Sequence, residues 1–84
     1  MELQVQFDEA VLQSKALPQK PANDVLLKLY ALYKQATEGD IHTEAPTNTF
    51  DFVARAKYNA WVTLKGTSTE AAKQEYINLV NSLK

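Results

Sequence analysis

The stretch "LLKLYALYKQATEGD", residues 26–40, adds two tyrosines and a lysine to a helix that already has an apolar face for a core. At about 100° per residue, one apolar stripe forms the expected core face: Val25, Leu29, Leu32 and Ala36. An adjoining stripe contains the following residues: Leu26, Leu27, Tyr30, Tyr33 and Lys34. The two stripes cover roughly 200°, twice the width that one packed face needs. Either other helices flank this helix on two sides, or the second stripe binds a ligand.

The length of the chain predicts one small domain spanning residues 1–84, which buries about 60% of the surface that the unfolded chain exposes. With no cysteine and 45% hydrophobic residues, packing alone must stabilise the fold, which fits a reducing compartment. Neither a secretory leader nor an apolar run approaching about 20 residues is present, so we expect a cytoplasmic protein without stable membrane insertion. A net charge of −1 argues against nucleic-acid binding.

The chain reads as four helices: about 2–15, 21–38, 49–65 and 68–83. Gly39 and Gly66 follow two of them and suit left-handed caps. Thr67 and Glu70 have the spacing of a capping box, and Pro21 can sit in the first turn of the second helix. The connection "GDIHTEAPTN" is long enough to carry the chain along the whole bundle.

Lys57 is placed by helical periodicity within an apolar arc of the third helix: Phe50, Val53, Ala56, Ala60, Trp61 and Leu64. A charge there needs a partner or a route to water. Two alternatives remain open: its stem packs while the ammonium reaches solvent, or the lysine faces an anion in a cleft shared with Lys34.

Aromatic and basic residues also share apolar faces on the outer helices. Tyr76 lies among Ala72, Leu79, Val80 and Leu83, and Phe7, Ala10 and Val11 share a face with Lys15. Each residue alone is most simply part of a core. The repeated combination suits a surface that stacks a ring, binds phosphates and shelters a hydrocarbon.

Two strings carry a family resemblance over nearly the whole chain: "KPANDVLLKLYALYKQATEGDIHTEAP" and "FDFVARAKYNAWVTLKGTSTEAAKQEYI". The segments at Tyr30–Asp40 and Ala56–Gly66 closely resemble motifs of the acyl-CoA-binding protein family. The resemblance implies an all-α four-helix bundle with a long crossover loop between the second and third helices, which run parallel. It also implies an open cleft that binds long-chain fatty acyl-CoA without changing it, so no enzyme activity, cofactor or metal is expected.

The resemblance also implies roles for individual residues. Tyr30, Lys34 and Lys57 would hold the 3′-phosphate of the CoA ribose, and Tyr33 would pack against adenine. Tyr76 would line the same cleft. The remaining positions would cover the acyl chain or lie at the periphery: Leu26, Leu27, Ala56, Phe7 and Ala10 for the chain, and Lys15 and Lys20 as peripheral basic residues.

The chain departs from the family pattern at several positions. Val53 and Ala54 stand where a lysine followed by glycine or alanine is common, Tyr58 where tryptophan is usual, and His42 where asparagine is frequent. The loop "TNTFDF" is one residue longer than usual. These changes bear on specificity and affinity more than on the ligand class.

Catalysis has little support in the residues, because His42 is the single histidine and no nucleophile stands at a suitable spacing. Asp40, His42 and Glu44 alternate, but a solvated loop explains them better than a metal site. We expect a monomer that passes acyl-CoA transiently to enzymes that use it. The alternatives are a helical module whose cleft takes an amphipathic partner helix, and an enzyme acting on the thioester.

Overall fold

The computed structural model describes residues 2–47 and 50–84, which form four helices. They are α1 at Leu3–Ser14, α2 at Asn23–Glu38, α3 at Phe52–Val62 and α4 at Thr69–Leu83. The described residues contain no strand. The predicted all-α class and the number and order of the helices are therefore confirmed.

The predicted starts of α2 and α3 need correction. Pro21 lies outside α2, because Ala22 is the extended N-cap residue with ψ 158°. α3 begins at Phe52, where the Asp51 carboxylate accepts the Ala54 N–H at 3.0 Å. The predicted start at position 49 falls outside the described residues. At its other end the α-helix stops at Val62, and looser turns continue the coil to residue 66.

The predicted capping box at the start of α4 is wrong by one residue. Ser68 is the N-cap, and its hydroxyl accepts the Ala71 N–H at 3.0 Å. Thr67 instead donates its N–H to the Leu64 carbonyl at 2.9 Å, so it belongs to the preceding turn. Both glycines have the predicted positive φ, 79° at Gly39 and 93° at Gly66. Gly39 caps α2, with ψ −150° outside the left-handed helical region, whereas α3 is capped by Thr63 and not by Gly66.

The main core is built from α1, α2 and α4, with α4 packed against both other helices. Its buried members come from one stripe of each helix: Phe7, Ala10, Leu29, Leu32, Ala36, Ala72, Tyr76, Ile77 and Val80. The predicted core stripe of α2 is confirmed, with Val25 packed at its edge. Burying each large apolar side chain contributes about 1.5–3 kcal/mol, which is what a chain without disulfides depends on.

α3 lies at one edge of the bundle, because within residues 2–47 and 50–84 its backbone approaches no other helix than α2, just as the backbone of α1 approaches no other helix than α4. The first turns of α2 and α3 line one cleft, to which they contribute Leu26 and Val53. Their last turns meet where Trp61 bonds to Gln35. Helices paired start to start and end to end are parallel, so the long link returns the chain along the bundle. The molecule is flat, with principal extents of 41 × 28 × 15 Å.

None of the four helices, within the part of the chain that the structure describes, is both long and apolar enough to cross a membrane.

Candidate functional site

The second apolar stripe of α2 faces the start of α3. Because the core stripe of α2 packs against α4, the adjoining stripe is left to form one wall of a cleft. This apolar cleft has a volume of about 390 Å³. It is lined by Asn23, Leu26, Leu27, Tyr30, Phe52, Val53, Ala56 and Lys57. The three aliphatic residues predicted to cover an acyl chain, Leu26, Leu27 and Ala56, therefore lie together.

A second depression, the cationic cleft, continues from the first toward the far end of α3 and has a volume of about 240 Å³. It is lined by Tyr30, Lys34, Thr43, Glu44, Pro46, Ala54, Lys57, Tyr58 and Trp61. Tyr30 and Lys57 belong to both clefts, so the two depressions join at these side chains. The structure thus brings together Tyr30, Lys34 and Lys57, the three residues that the resemblance assigns to one phosphate.

Lys57 combines the two alternatives left open by the sequence. The residue is exposed, yet its stem borders the apolar cleft and its Nζ lies 5.3 Å from the centre of the Tyr30 ring. A cation over a tyrosine face is stabilised by about 0.5–1 kcal/mol at an exposed site. The ammonium is therefore held at the joint between the clefts, where an anion can still reach it.

Lys34 is engaged by two partners. Its ammonium forms an ion pair with Glu38 one turn along α2 and lies 5.2 Å from the centre of the Trp61 ring. The other Glu38 oxygen lies 2.9 Å from His42 Nε2. The hydrogen bond with Glu38 raises the pKa of Lys34, while Lys34 and then His42 lower the pKa of Glu38. A ligand phosphate would have to share or replace Glu38 at Lys34.

A buried polar junction holds the end of α3 against α2, and the sequence reasoning missed it. Gln35 is completely buried and donates from Nε2 to the Thr67 carbonyl at 2.7 Å and to Asp40 Oδ1 at 2.9 Å. Its Oε1 accepts the Trp61 Nε1–H at 3.1 Å. Trp61 also donates to the Gly39 carbonyl at 3.0 Å. One indication that Gln35 is buried was present in the sequence, namely its position beside the core stripe of α2.

Asp40 joins the same junction, which makes stability depend on pH. Its carboxylate accepts the Gly66 N–H at 2.8 Å and the Gln35 amide, and these bonds lower its pKa below the usual 3.8. Because the native pKa is depressed, the stabilisation is complete above about pH 4 and is lost as pH falls through the lower native pKa. Glu38, whose pKa is also lowered, acts in the same direction.

We therefore expect the melting temperature to fall as the pH is lowered from 5 to 3, and to fall less steeply in the Asp40→Asn variant. Circular dichroism melts over this range measure the effect, because the amide of the variant does not gain a proton there. Asp8→Asn is the matched control, since Asp8 is an exposed carboxylate on α1 that accepts from Gln4. Equal slopes for Asp40→Asn and wild type would contradict the expectation.

The predicted aromatic residues of α1 and α4 lie beneath the surface. Phe7 and Tyr76 are 2% and 4% exposed, and Ala10 is 2% exposed. The Tyr76 hydroxyl donates to Ser14 Oγ at 3.1 Å. Tyr76 is therefore absent from the lining of both clefts as the structure shows them, and it supports the core instead.

Tyr33 forms the exposed top of this aromatic cluster. Its ring stacks on Phe7 with centroids 6.0 Å apart and lies 6.5 Å from the Tyr76 ring. The side chain remains 41% exposed. Tyr33 thus offers an exposed ring surface, and Phe7 and Tyr76 hold this ring in place from the core side.

The two predicted peripheral lysines lie apart from the clefts. Lys15 caps the C-terminal end of α1, and Lys20 lies in the link to α2, both exposed. The described residues contain no group of three acidic, histidine or cysteine side chains that could hold a metal. Asp40 and His42 are instead engaged with Gly66 and Glu38.

Fold and site define a class of protein: a small helical binder with an apolar cleft joined to a cationic one. Such a surface suits an amphiphilic ligand that combines a hydrocarbon with an anionic group. The shared residues Tyr30 and Lys57 mark the point where the two parts of that ligand would meet.

Comparisons with known proteins identify the family. Residues 4–80 match the family described as Acyl CoA binding protein. The chain is 51% identical over 77 residues to the acyl-CoA-binding protein of Saccharomyces cerevisiae, covering 92% of this chain and 87% of that protein. It is 49% identical over 80 residues to enoyl-CoA delta isomerase 2 of Rattus norvegicus, but spans only 20% of that protein.

A solved structure agrees with this assignment. The crystal structure of Oryza sativa acyl-CoA-binding protein 2 superposes with a TM-score of 0.91 at 40% identity, covering 98% of this chain and 90% of that one. The chain belongs to the acyl-CoA-binding protein family. The resemblance and the predicted fold are both confirmed.

Proposed function

We propose that this protein binds long-chain fatty acyl-CoA thioesters and releases them unchanged, acting as an intracellular carrier. Family membership supports the ligand class, and one structural observation supports the location of the site. The apolar and cationic clefts join at Tyr30 and Lys57, so one amphiphilic molecule can occupy both.

The acyl chain is assigned to the apolar cleft. Leu26, Leu27 and Ala56 line it and are only partly buried. Each sheltered methylene is worth about 0.8 kcal/mol, so ten give roughly 8 kcal/mol before the cost of ordering the chain. The thioester should therefore bind far more tightly than free CoA.

The nucleotide is assigned to the cationic end. Tyr30, Lys34 and Lys57 would bind the 3′-phosphate through charge-assisted hydrogen bonds and a tyrosine hydroxyl. The exposed ring of Tyr33 would stack on adenine. Phosphate entry would release Lys34 from Glu38 at a small cost, since surface ion pairs are worth about 0–1 kcal/mol.

The remaining predicted residues take supporting roles. Phe7 and Tyr76 fix the Tyr33 ring through the contacts described above. Ala10 lies in the core beneath them. Lys15 and Lys20 would attract the charged ligand from a distance, which gives them little share in the affinity once it is bound.

The carrier has no catalytic task in this proposal, and it works as a cytoplasmic monomer without a cofactor or metal. His42 is engaged by the Glu38 carboxylate and packs edge-on against the Trp61 ring. Acyl-CoA-using enzymes would receive the ester through transient encounters.

Isothermal titration calorimetry with palmitoyl-CoA, kept below its micelle concentration, tests the proposal. We expect saturable one-to-one binding of the ester, with free CoA and free palmitate at least about 1,000-fold weaker, because each forgoes the interactions of one cleft. Similar affinity for the ester and for palmitate would contradict the role of the cationic cleft.

The same titration separates the alternatives. A module for an amphipathic partner helix would leave the ester unbound. An enzyme acting on the thioester would consume it, so chromatography after long incubation should recover the ester unchanged if the carrier proposal is correct.

A further inference from the structure

Glu38 connects the cationic cleft with a histidine that lies outside it. One of its carboxylate oxygens pairs with the Lys34 ammonium one turn earlier on α2, and the other lies 2.9 Å from His42 Nε2. Lys34 lines the cationic cleft, whereas Glu38 and His42 line neither cleft. Glu38 is therefore bound at the same time to a lysine that can face a ligand and to a histidine that does not.

The Trp61 ring keeps both partners of Glu38 in fixed positions. Trp61 is 3% exposed, and its indole N–H donates to the buried Gln35, which anchors the ring between α2 and α3. The Lys34 ammonium lies 5.2 Å from the centre of this ring, and the His42 ring meets it edge-on with centroids 5.6 Å apart. Because both partners pack on one ring, the Glu38 carboxylate reaches them together.

A phosphate that approaches Lys34 meets Glu38 as a second anion at the same ammonium. The hydrogen bond from Lys34, and then that from His42, lower the pKa of Glu38, so its side chain is a carboxylate at neutral pH. An ammonium has three hydrogens to donate, but two anions held beside it repel each other. The phosphate therefore gains less from Lys34 as long as Glu38 remains there.

We propose that Glu38 is an internal competitor of the 3′-phosphate for Lys34, and that His42 retains Glu38 when the phosphate displaces it. The bond to His42 is already present, so the displaced carboxylate keeps a donor. Glu38 and His42 are positioning residues, because they act on the ligand through Lys34. This inference rests on the proposed function, since it concerns the affinity of the same site for its phosphate.

The Glu38→Gln variant tests the competition. Because its amide carries no charge, the variant should bind palmitoyl-CoA about three- to tenfold more tightly than wild type in calorimetric titrations. With the dephospho form of the ester, which lacks the 3′-phosphate, the two proteins should bind about equally. Glu75→Gln is the matched control, since Glu75 is an exposed glutamate on α4 that lines neither cleft, and it should bind both esters as wild type does.

The His42→Ala variant tests the second part of the proposal. Without the imidazole, Glu38 loses the partner that retains it away from Lys34, so palmitoyl-CoA should bind about two- to fivefold more weakly. In the Glu38→Gln background the same substitution should have little effect, because the charged competitor is gone. A purely structural role of His42 against Trp61 would weaken binding equally in both backgrounds.

The titrations distinguish the ways in which the proposal can fail. A Glu38→Gln affinity for palmitoyl-CoA equal to or below that of wild type would overturn the competition, as would an equal gain with the dephospho ester. Equal His42→Ala defects in both backgrounds would overturn the role of His42. Both results leave the carrier function intact. Absence of palmitoyl-CoA binding by the wild-type protein would instead overturn the carrier function, and this inference with it.

Discussion

Replacing Gln35 with alanine should lower the free energy of unfolding by about 3 kcal/mol. The substitution removes the acceptor of the Trp61 N–H and the donor to the Thr67 carbonyl, and it opens space in a completely buried site. The partly buried Thr67 carbonyl loses its donor, and the lost hydrogen bond adds to the cost of the cavity. Urea denaturation followed by circular dichroism measures the change.

Gln74→Ala provides the comparison for this experiment. Gln74 is an exposed glutamine on α4 whose amide donates to Asn78 one turn away. Its loss should change the unfolding free energy by less than about 0.5 kcal/mol. If both variants unfolded at the same urea concentration, the junction around Gln35 would contribute nothing particular to stability.

Replacing Lys57 with alanine should weaken palmitoyl-CoA binding by roughly 10- to 100-fold, because a hydrogen bond to a charged group is worth about 1.5–3 kcal/mol. The loss should be confined to ligands that carry the 3′-phosphate. With the dephospho form of palmitoyl-CoA, which lacks this group, the variant and the wild-type protein should bind about equally. Calorimetric titration of both proteins with both ligands gives four binding free energies, and their double difference measures the interaction between Lys57 and the 3′-phosphate.

Lys73→Ala controls for the loss of a positive charge as such. Lys73 lies on α4, where it donates to Gln4 at 2.7 Å, and it lines neither cleft. We expect it to bind the ester as wild type does. A Lys57→Ala defect of equal size for both forms of the ester would instead place Lys57 against another part of the ligand.

Periodicity predicted the helices well because burial repeats along them. Leu29, Leu32 and Ala36 share a stripe and are buried together. The extra stripe on α2 reflects a second neighbour, because α3 packs on α2 beside it and the two helices line a cleft. Helix ends were less predictable. Thr67 and Ser68 can both cap a helix chemically, and only the path of the turn from Gly66 decides between them.

Helical periodicity could not predict contacts between segments that are distant in the sequence. Gln35 looks like any polar helix residue in the sequence, but it connects α2 with the turn before α4 and with Trp61. The pairing of Lys34 with Glu38 has helical spacing, yet its position over Trp61 depends on how α3 packs. Phe7 and Tyr76 occupy the core because α1 and α4 meet there, which the local pattern does not fix.

The attachment of α3 to α2 alone gives the molecule two levels of local stability. Amide hydrogens of α4, which is packed on both sides, should exchange only through global opening, while those of α3 can exchange through a smaller detachment. A ligand spanning both clefts would touch α2 and α3 at once and close this route by mass action. The bound ligand would then supply contacts on a side of α3 that does not face α2. We therefore expect α3 to unfold locally less often in the ligand-bound protein than in the free protein.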